Sequence, residues 1–241
     1  MTSAQSPIAL YYWPTPNGWK ISIMLEELGM LEEIDAPYEV HYINIGKGEQ
    51  FDPDFLAIAP NNRMPAIIDP DGPGGNPVSV FESGAILMYL GRKFGRFYPL
   101  DDERARIAVE EWLMWQMGNV GPMLGQNHHF RNYAPEKLPY AITRYENEAH
   151  RLYGVLDKRL AGRDFVADAY SIADMAIIGW MRSPERQGID IDEFPNLKAW
   201  RERLLARPAV ERGIALGFEK RSNIADDEQA KSVLFGQRAR G

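Results

Sequence analysis

The chain of 241 residues contains no cysteine. This absence excludes a disulfide framework, a thiolate metal site and a cysteine nucleophile. It also excludes a thioredoxin-type reductase that works with its own dithiol. If the protein carries out thiol chemistry, the sulfur must therefore come from a bound molecule.

A basic surface and long apolar runs are lacking as well. The net charge is −7, the sequence pI is near 5.2, and the 27 lysines and arginines are scattered along the chain. This pattern argues against a nucleic-acid partner. Apolar runs such as residues 8–13 and 176–181 are far shorter than a membrane span, and the N-terminus lacks the pattern of a signal peptide. We therefore predict a cytoplasmic protein that binds neither nucleic acid nor a membrane.

The first hundred residues mix the periodicities of strands and helices. Residues 8–13 read as a short apolar strand and residues 38–44 as a second strand, and the helical pattern between them indicates a βαβ unit. Residues 66–69 and 78–81 flank a stretch rich in proline and glycine, which predicts a hairpin. Another helical pattern starts at Ser83. This part of the chain therefore has the pattern of an α/β domain.

From residue 102 onward the sequence is helical, with a long amphipathic stripe between Tyr145 and Leu160. Further helices are predicted at residues 171–182, 197–206 and 209–218. The change from mixed to all-helical sequence marks a domain boundary, and the chain turns polar after Phe218. We predict an α/β domain over residues 7–97, an all-α domain over 102–218 and a C-terminal tail over 219–241.

The segment YYWPTPNGWK joins the first strand to the first helix. Its Asn-Gly pair is a hairpin signal, but Pro14 and Pro16 would each remove a donor from a strand ladder. Helical periodicity follows Gly18, so we predict a strand, a rigid loop and a helix start. In this interpretation the prolines hold the loop, and Gly18 lets the backbone approach a ligand.

Two helix starts carry polar side chains that suit a charged ligand. A helix N-terminus favours an anion, and Thr15 and Asn17 add a hydroxyl and an amide to the first one. The alternative is that one of them only caps the helix. Ser83 opens a second helix beside the acidic Glu82. Together they offer an anion site and a partner for an ammonium, as an α-amino acid group requires, although Ser83 as a simple N-cap is the alternative.

A third cue is Met64-Pro65, which precedes the third strand. Proline at the first residue of a strand is ordinary. A cis bond here would expose the Met64 backbone edge to an extended peptide ligand, whereas a trans turn proline would not. The sequence leaves both isomers open.

The segments TPNGWK, NNRMPAI and FESGAI, in this order and followed by an all-α half, resemble the glutathione transferases. The resemblance is greatest to the nu-class and nitrogen-regulator-like branch, which GKGEQF at residues 46–51 and GPMLGQNHHF at 121–130 also fit. It covers about residues 8–217. It implies a thioredoxin-like N-terminal domain, an all-α C-terminal helical domain and a homodimer.

The resemblance also implies roles for particular residues toward glutathione. Asn17, with Thr15 near it, is expected to face the glutathione sulfur, which makes these two the candidate catalytic residues. The expected binding residues for the remaining parts of glutathione are Gln50 at the glycyl end, Met64 at the cysteinyl unit, Glu82 and Ser83 at the γ-glutamyl end, and Arg144 on the long helix. Arg144 has the alternative of a surface ion pair with Glu148.

The loop departs from the commoner transferase pattern, because no tyrosine, serine or cysteine fills the usual thiol-activating place. Asn17 and Thr15 are not bases at neutral pH. Lowering a thiol pKa from about 8.5 to about 6.5 raises the thiolate fraction at pH 7 about 25-fold. A thiolate of lower pKa is also less nucleophilic, which cancels roughly 6- to 10-fold of this gain. We therefore expect alignment of the sulfur with its target to supply most of the acceleration.

The resemblance implies a glutathione-dependent disulfide-bond reductase that takes a small thiol, disulfide or electrophile as its second substrate. One or two glutathione molecules, or glutathione disulfide, are the expected cofactors. The alternatives are glutathione conjugation or peroxidase activity, and a glutathione-binding regulatory protein without turnover. No metal site is expected, because the adjacent His128 and His129 lack an acidic partner at helical spacing. Ser171 and Asp174 have the spacing of a capping box, which is a structural role.

Overall fold

The computed structural model describes residues 6–30, 34, 36–221 and 227–238. Contacts divide the chain into two units. The first unit falls within Met1–Tyr89 and Arg212–Gly241, and the second is Leu90–Glu211. The division falls within two helices, so the domain limits predicted from the sequence stay a prediction. Each unit is described by itself.

The first unit is built on a four-stranded sheet in the order β2-β1-β3-β4. The strands are β1 (Ile8–Tyr12), β2 (Tyr38–Tyr42), β3 (Ala66–Asp69) and β4 (Val78–Phe81). β1 pairs parallel with β2 and antiparallel with β3, and β3 pairs antiparallel with β4. The βαβ unit and the hairpin predicted from the sequence are confirmed.

The helices of the first unit pack around this sheet. They are α1 (Pro16–Gly29), α2 (Pro53–Ile58) and the start of α3 (Ser83–Phe94). Strand alternation places Ile8, Leu10 and Tyr12 in the core, with Tyr12 fully buried, whereas Tyr11 is half-buried and stacks on His41. The core therefore includes Tyr12, the last residue of β1 before the loop that follows it.

The second unit is all-helical, as predicted. It contains the end of α3, then α4 (Glu103–Trp115), α5 (Gly121–His128), α6 (Pro139–Leu160), α7 (Ile172–Met181), α8 (Pro195–Leu205) and the start of α9 (Pro208–Ala215). The stripe predicted on the long helix is buried over Ala149, Leu152 and Leu156. In the described part of the chain, no helix combines the length and apolarity needed to cross a bilayer.

A buried carboxylate organises the second unit. Asp174 accepts hydrogen bonds from the backbone N–H groups of Ser171 and Val166 at 3.1 and 3.0 Å, and from Trp200 Nε1 at 2.9 Å. Ser171 in turn accepts a bond from the Ala173 N–H, which completes the predicted capping box of α7. The carboxylate therefore ties α7 to the loop before it and to α8.

The C-terminal tail over 219–241 stays a prediction, and its described residues include a helix. The described residues from Arg212 onward cluster with the first unit, and the backbone at Gly213 lies against α1. Ser22 Oγ donates to Gly213 O at 2.6 Å, and a Cβ added at Gly213 would lie 2.7 Å from Ile23 N. A further helix, α10 (Glu228–Phe235), buries Ala230. Of the predicted tail, residues 222–226 and 239–241 lie outside the described residues.

Candidate functional site

The loop after β1 is shaped by a helix cap. Thr15 is the N-cap of α1 and its side chain accepts a bond from the Gly18 N–H at 3.3 Å, with Pro16 in the first helical turn. A Cβ at Gly18 would lie 2.2 Å from Trp13 O. Gly18 is therefore required by a close approach to the protein's own backbone, and its approach to a ligand stays a prediction. Asn17 is half-buried in the first turn of α1.

The loop before β3 lies beside this helix start. Met64 is largely buried, and Thr15 Oγ1 lies 3.7 Å from Met64 Sδ. The Met64–Pro65 peptide bond is cis, which settles the choice that the sequence left open. The hydroxyl of Thr15 is therefore engaged within the protein both as the helix cap and as a contact to Met64.

The turn between β4 and α3 holds Glu82 in an unusual backbone conformation. Its φ is +68°, in the left-handed region that side-chain-bearing residues rarely adopt. The carboxylate is exposed and accepts a bond from Asn61 Nδ2 at 3.1 Å. Ser83 follows as the first residue of α3, is buried, and accepts a bond from Lys20 Nζ at 3.3 Å. Non-glycine residues in such strained conformations often mark functional sites.

These three segments enclose a cleft of about 230 Å³, here called the first cleft. It is lined by Asn17, Asn61, Arg63, Met64, Pro65, Glu82 and Ser83. Four residues predicted from sequence to bind one ligand, from three separate segments, are thus brought together. The cleft offers amide, carboxylate and hydroxyl groups at the starts of two helices.

A second cleft of about 140 Å³ adjoins the first and shares Arg63 and Met64 with it. Its lining also includes Ile45, Gln50, Asn62, Leu234, Phe235 and Gln237. Gln50 is buried and donates to Ile45 O at 3.3 Å, whereas its Oε1 has no hydrogen-bond partner among the described residues. Gln50 therefore lies in the second cleft, which α10 helps to line.

Ionisation around the clefts is shifted by burial. The side chain of Lys20 is 1% exposed, and burial lowers its pKa to about 7 while the carboxylate of Glu82 opposes the shift. Tyr12 is buried beneath the loop, donates to Leu216 O at 3.2 Å, and has a pKa raised by burial. A buried tyrosine with a raised pKa, whose hydroxyl already donates to the backbone, is poorly suited to activate a thiol.

Comparison with known families identifies the fold. Residues 6–92 match the family model described as glutathione S-transferase, N-terminal domain, and residues 133–208 match glutathione S-transferase, C-terminal domain. The chain belongs to the glutathione S-transferase family. The resemblance found in the loop motifs is confirmed, as is the combination of a thioredoxin-like domain with a helical one.

Members of this family with high similarity to the chain include named oxidoreductases and glutathione complexes. The disulfide-bond oxidoreductase YfcG of Escherichia coli is 50% identical, with 84% of this chain and 92% of YfcG covered. A transferase structure from Pseudomonas fluorescens with two glutathiones bound is 45% identical, with a TM-score of 0.79 and coverage of 86% and 92%. One from Pseudomonas putida with one glutathione disulfide per subunit is 43% identical, with a TM-score of 0.81 and coverage of 86% and 90%.

Arg144 and the paired histidines belong to the second unit. Arg144 on α6 is 57% exposed and its Nη1 lies 3.9 Å from Glu148 Oε2, while Arg151 holds the same carboxylate at 2.7 Å. The role of Arg144 toward glutathione stays a prediction. Burial lowers the pKa of His128 to about 4. Within the described residues there is no cluster of three or more metal-binding side chains.

Several residues at the clefts were not singled out from the sequence. Asn61 and Arg63 lie in the NNRMPAI motif, and their position beside Met64 could have indicated that they line the first cleft. Lys20 stands among the apolar residues of α1, where a lysine is unusual. Gln237, whose Oε1 accepts from Arg63 Nη1 at 2.8 Å, gave no sequence signal.

Proposed function

We propose that this glutathione S-transferase family member is a glutathione-dependent disulfide-bond reductase, with bound glutathione as the source of the thiol. The observation that carries the proposal is the first cleft, where Asn17, Met64, Glu82 and Ser83 meet although the chain contains no cysteine. The name of YfcG and the ligands of the two Pseudomonas structures support it.

The polar groups of the clefts suit the parts of a tripeptide. Glu82 supplies a carboxylate for the γ-glutamyl ammonium, and Ser83 with the N-terminus of α3 suits the adjacent α-carboxylate. We propose that the Met64 backbone pairs with the cysteinyl unit and that Gln50 meets the glycyl end in the second cleft. Arg144 is proposed as a further contact from α6.

The start of α1 suits a thiolate. Its N-terminal N–H groups and the Asn17 amide favour negative charge on a sulfur placed in the first cleft. We propose Asn17 as the group that faces the sulfur and Thr15 as the residue that holds the loop through its cap and its contact with Met64. Since acidification alone gains only a few-fold in rate, the rigid loop contributes mainly by orienting the sulfur.

Two glutathione molecules supply two thiols and two electrons, so that one substrate disulfide leaves as two thiols and the glutathiones leave as glutathione disulfide. Atoms and electrons balance without a protein thiol, which fits the cysteine count of zero. We further propose that the protein is a cytoplasmic homodimer and that the second substrate is a small disulfide or electrophile. These proposals rest on the family resemblance and on the lack of membrane-spanning pattern.

The test combines retention on immobilised glutathione with glutathione-dependent reduction of a small alkyl disulfide. We expect retention and turnover in the natural chain, and at least a tenfold lower kcat/KM in Asn17→Ala, because one donor to the developing thiolate is lost. Asn76→Ala is the matched control, since Asn76 is an exposed asparagine of the β3–β4 turn. Its rate should not change.

Three results would contradict parts of this proposal. Retention without disulfide reduction would favour a binding or regulatory protein. Conjugation of an electrophile in the absence of disulfide reduction would favour the transferase alternative. An unchanged rate in Asn17→Ala with unchanged thermal stability would remove Asn17 from the mechanism.

A further inference from the structure

The end of α10 completes the second cleft. Three of the residues that line this cleft come from here and are called the C-terminal wall: Leu234, Phe235 and Gln237. α10 packs on the loop that leads to Gln50. A Cβ added at Gly46 of this loop would lie 3.3 Å from the buried Ala230 of α10, and one added at Gly48 would lie 3.6 Å from Val233. These contacts seat the C-terminal wall beside the cleft.

Gln237 connects the C-terminal wall to the guanidinium of Arg63. Its Oε1 accepts a bond from Arg63 Nη1 at 2.8 Å, and its Nε2 donates to Val233 O at 3.1 Å. Arg63 Nη1 also donates to the backbone oxygen and to Oδ1 of Asn62, at 3.2 and 2.8 Å. Every hydrogen bond that Arg63 makes with the described residues therefore uses Nη1.

The other edge of the Arg63 guanidinium suits a carboxylate. The Nε and Nη2 groups of an arginine donate in parallel and match the two oxygens of a carboxylate. In this protein the same edge of Arg151 binds Glu148, with Nε and Nη2 at 2.9 and 2.7 Å from the two oxygens. Arg63 forms no ion pair with the described residues, and it is the one charged side chain among those described in the lining of the second cleft. Its Nε and Nη2 edge is therefore available to an anionic ligand group.

The proposed position of glutathione brings such a group to the second cleft. Arg63 and Met64 line both clefts. With the γ-glutamyl unit in the first cleft and the cysteinyl unit at Met64, an extended tripeptide continues into the second cleft with its glycyl unit. The glycyl carboxylate is the last group of the ligand. A residue added beyond it would meet the C-terminal wall, which lines the same cleft of about 140 Å³.

We propose that the C-terminal wall makes the second cleft specific for a ligand that ends in a free glycyl carboxylate. Gln237 is a positioning residue, which holds Arg63 so that its Nε and Nη2 edge meets that carboxylate. Leu234 and Phe235 exclude peptides that are extended beyond the glycyl unit. This inference rests on the proposed function, since it requires the glycyl end of glutathione in the second cleft.

The experiment compares the binding of three ligands by calorimetric titration: S-methylglutathione, its glycinamide form and a form extended by one further glycine. The glycinamide keeps the size of the ligand and removes the terminal charge, whereas the extended form keeps a terminal carboxylate and adds one residue. The natural chain should bind S-methylglutathione about tenfold more tightly than the glycinamide, through the charged hydrogen bonds. It should also bind S-methylglutathione about tenfold more tightly than the extended form, because the added residue overpacks the cleft.

Variants separate the two parts of the inference. Arg63→Met should bind S-methylglutathione and the glycinamide equally, and Gln237→Ala should reduce the preference for the carboxylate to about threefold or less, because Arg63 loses a bond that orients it. Phe235→Ala and Leu234→Ala should each bind the extended form within about threefold of S-methylglutathione and keep the preference for the carboxylate. Gln229→Ala is the matched control, since Gln229 is an exposed glutamine of α10 that lines neither cleft. It should leave all three affinities unchanged.

The possible failures are distinguishable. If the natural chain binds the glycinamide or the extended form as tightly as S-methylglutathione, the second cleft does not select a glycyl carboxylate and the inference is wrong. If Gln237→Ala keeps the full preference for the carboxylate, Gln237 does not position Arg63. If Phe235→Ala does not fold, Leu234→Ala decides whether the wall excludes the extended form. If the natural chain binds none of the three ligands, the proposed function fails, and this inference with it.

Discussion

Replacing Glu82 with glycine should increase stability while weakening ligand binding. The φ of +68° at Glu82 costs a side-chain-bearing residue about 1–2 kcal/mol, and glycine avoids this cost. The added entropy of glycine in the unfolded chain and loss of the exposed bond from Asn61 offset part of the gain. We therefore expect the free energy of unfolding of Glu82→Gly to increase by about 0–1 kcal/mol.

The effect on binding should have the opposite sign and be larger. The ligand ammonium would lose a charged hydrogen-bond partner, which is worth about 1.5–3 kcal/mol. At about 1.4 kcal/mol per tenfold, the affinity for S-methylglutathione should fall about 10- to 150-fold. Urea denaturation and calorimetric titration give the two quantities on the same preparation.

Asp168→Gly is the matched control for this experiment. Asp168 is also acidic and exposed, has a φ of +67°, and pairs with Arg163 at 3.1 Å in the second unit. Its replacement should change stability by a similar small amount and leave the affinity as it was. A Glu82→Gly variant that binds as tightly as the natural chain would refute the assignment of Glu82 to the ammonium. A loss of more than about 1 kcal/mol of stability would refute the strain argument.

Three further changes test the surrounding structure. Gly18→Ala places a Cβ 2.2 Å from Trp13 O, so the loop must shift; we expect a loss of about 1–3 kcal/mol in urea denaturation and a lower kcat/KM. Asp174→Ala leaves buried N–H donors, including Trp200 Nε1, without their acceptor, and urea denaturation should show a loss of about 3–5 kcal/mol. Because the pKa of Lys20 falls from 10.5 unfolded to about 7 folded, its contribution to stability is present above pH 10.5 and is lost as the pH falls through 7. The free energy of unfolding of the natural chain should therefore rise relative to that of Lys20→Met as the pH increases from 6.5 to 9.5. A difference between the two that is constant with pH would contradict the lowered pKa.

Much of the site was predictable because its parts are local in sequence. Thr15 and Asn17 stand at a helix start that the prolines and the change of periodicity reveal, and Glu82 and Ser83 stand at another. Short-range rules of capping and turn formation act within a few residues, so they can be read without a structure. The family resemblance then related these separate segments to one ligand.

Other features depended on contacts between distant residues. The isomer of the Met64–Pro65 bond was open in the sequence and is cis in the structure. The close approach of Gly18 to Trp13 O, where a Cβ would lie 2.2 Å away, was not predicted from the sequence. The association of α10 with the second cleft was absent from the prediction of a tail, because nothing local to residues 228–235 indicates what they pack against.

By itself, the sequence determined that the chain has an α/β half and an all-α half, and that a thiol used in catalysis must come from a bound molecule. Periodicity, turn residues and the absence of cysteine are properties of the chain alone. Only the tertiary structure decided that Lys20 is buried against Ser83, and that Gln50 and α10 share a cleft with Met64. The physical reason is that burial and hydrogen bonding between residues far apart in the chain depend on how its elements pack, and no local pattern encodes that packing.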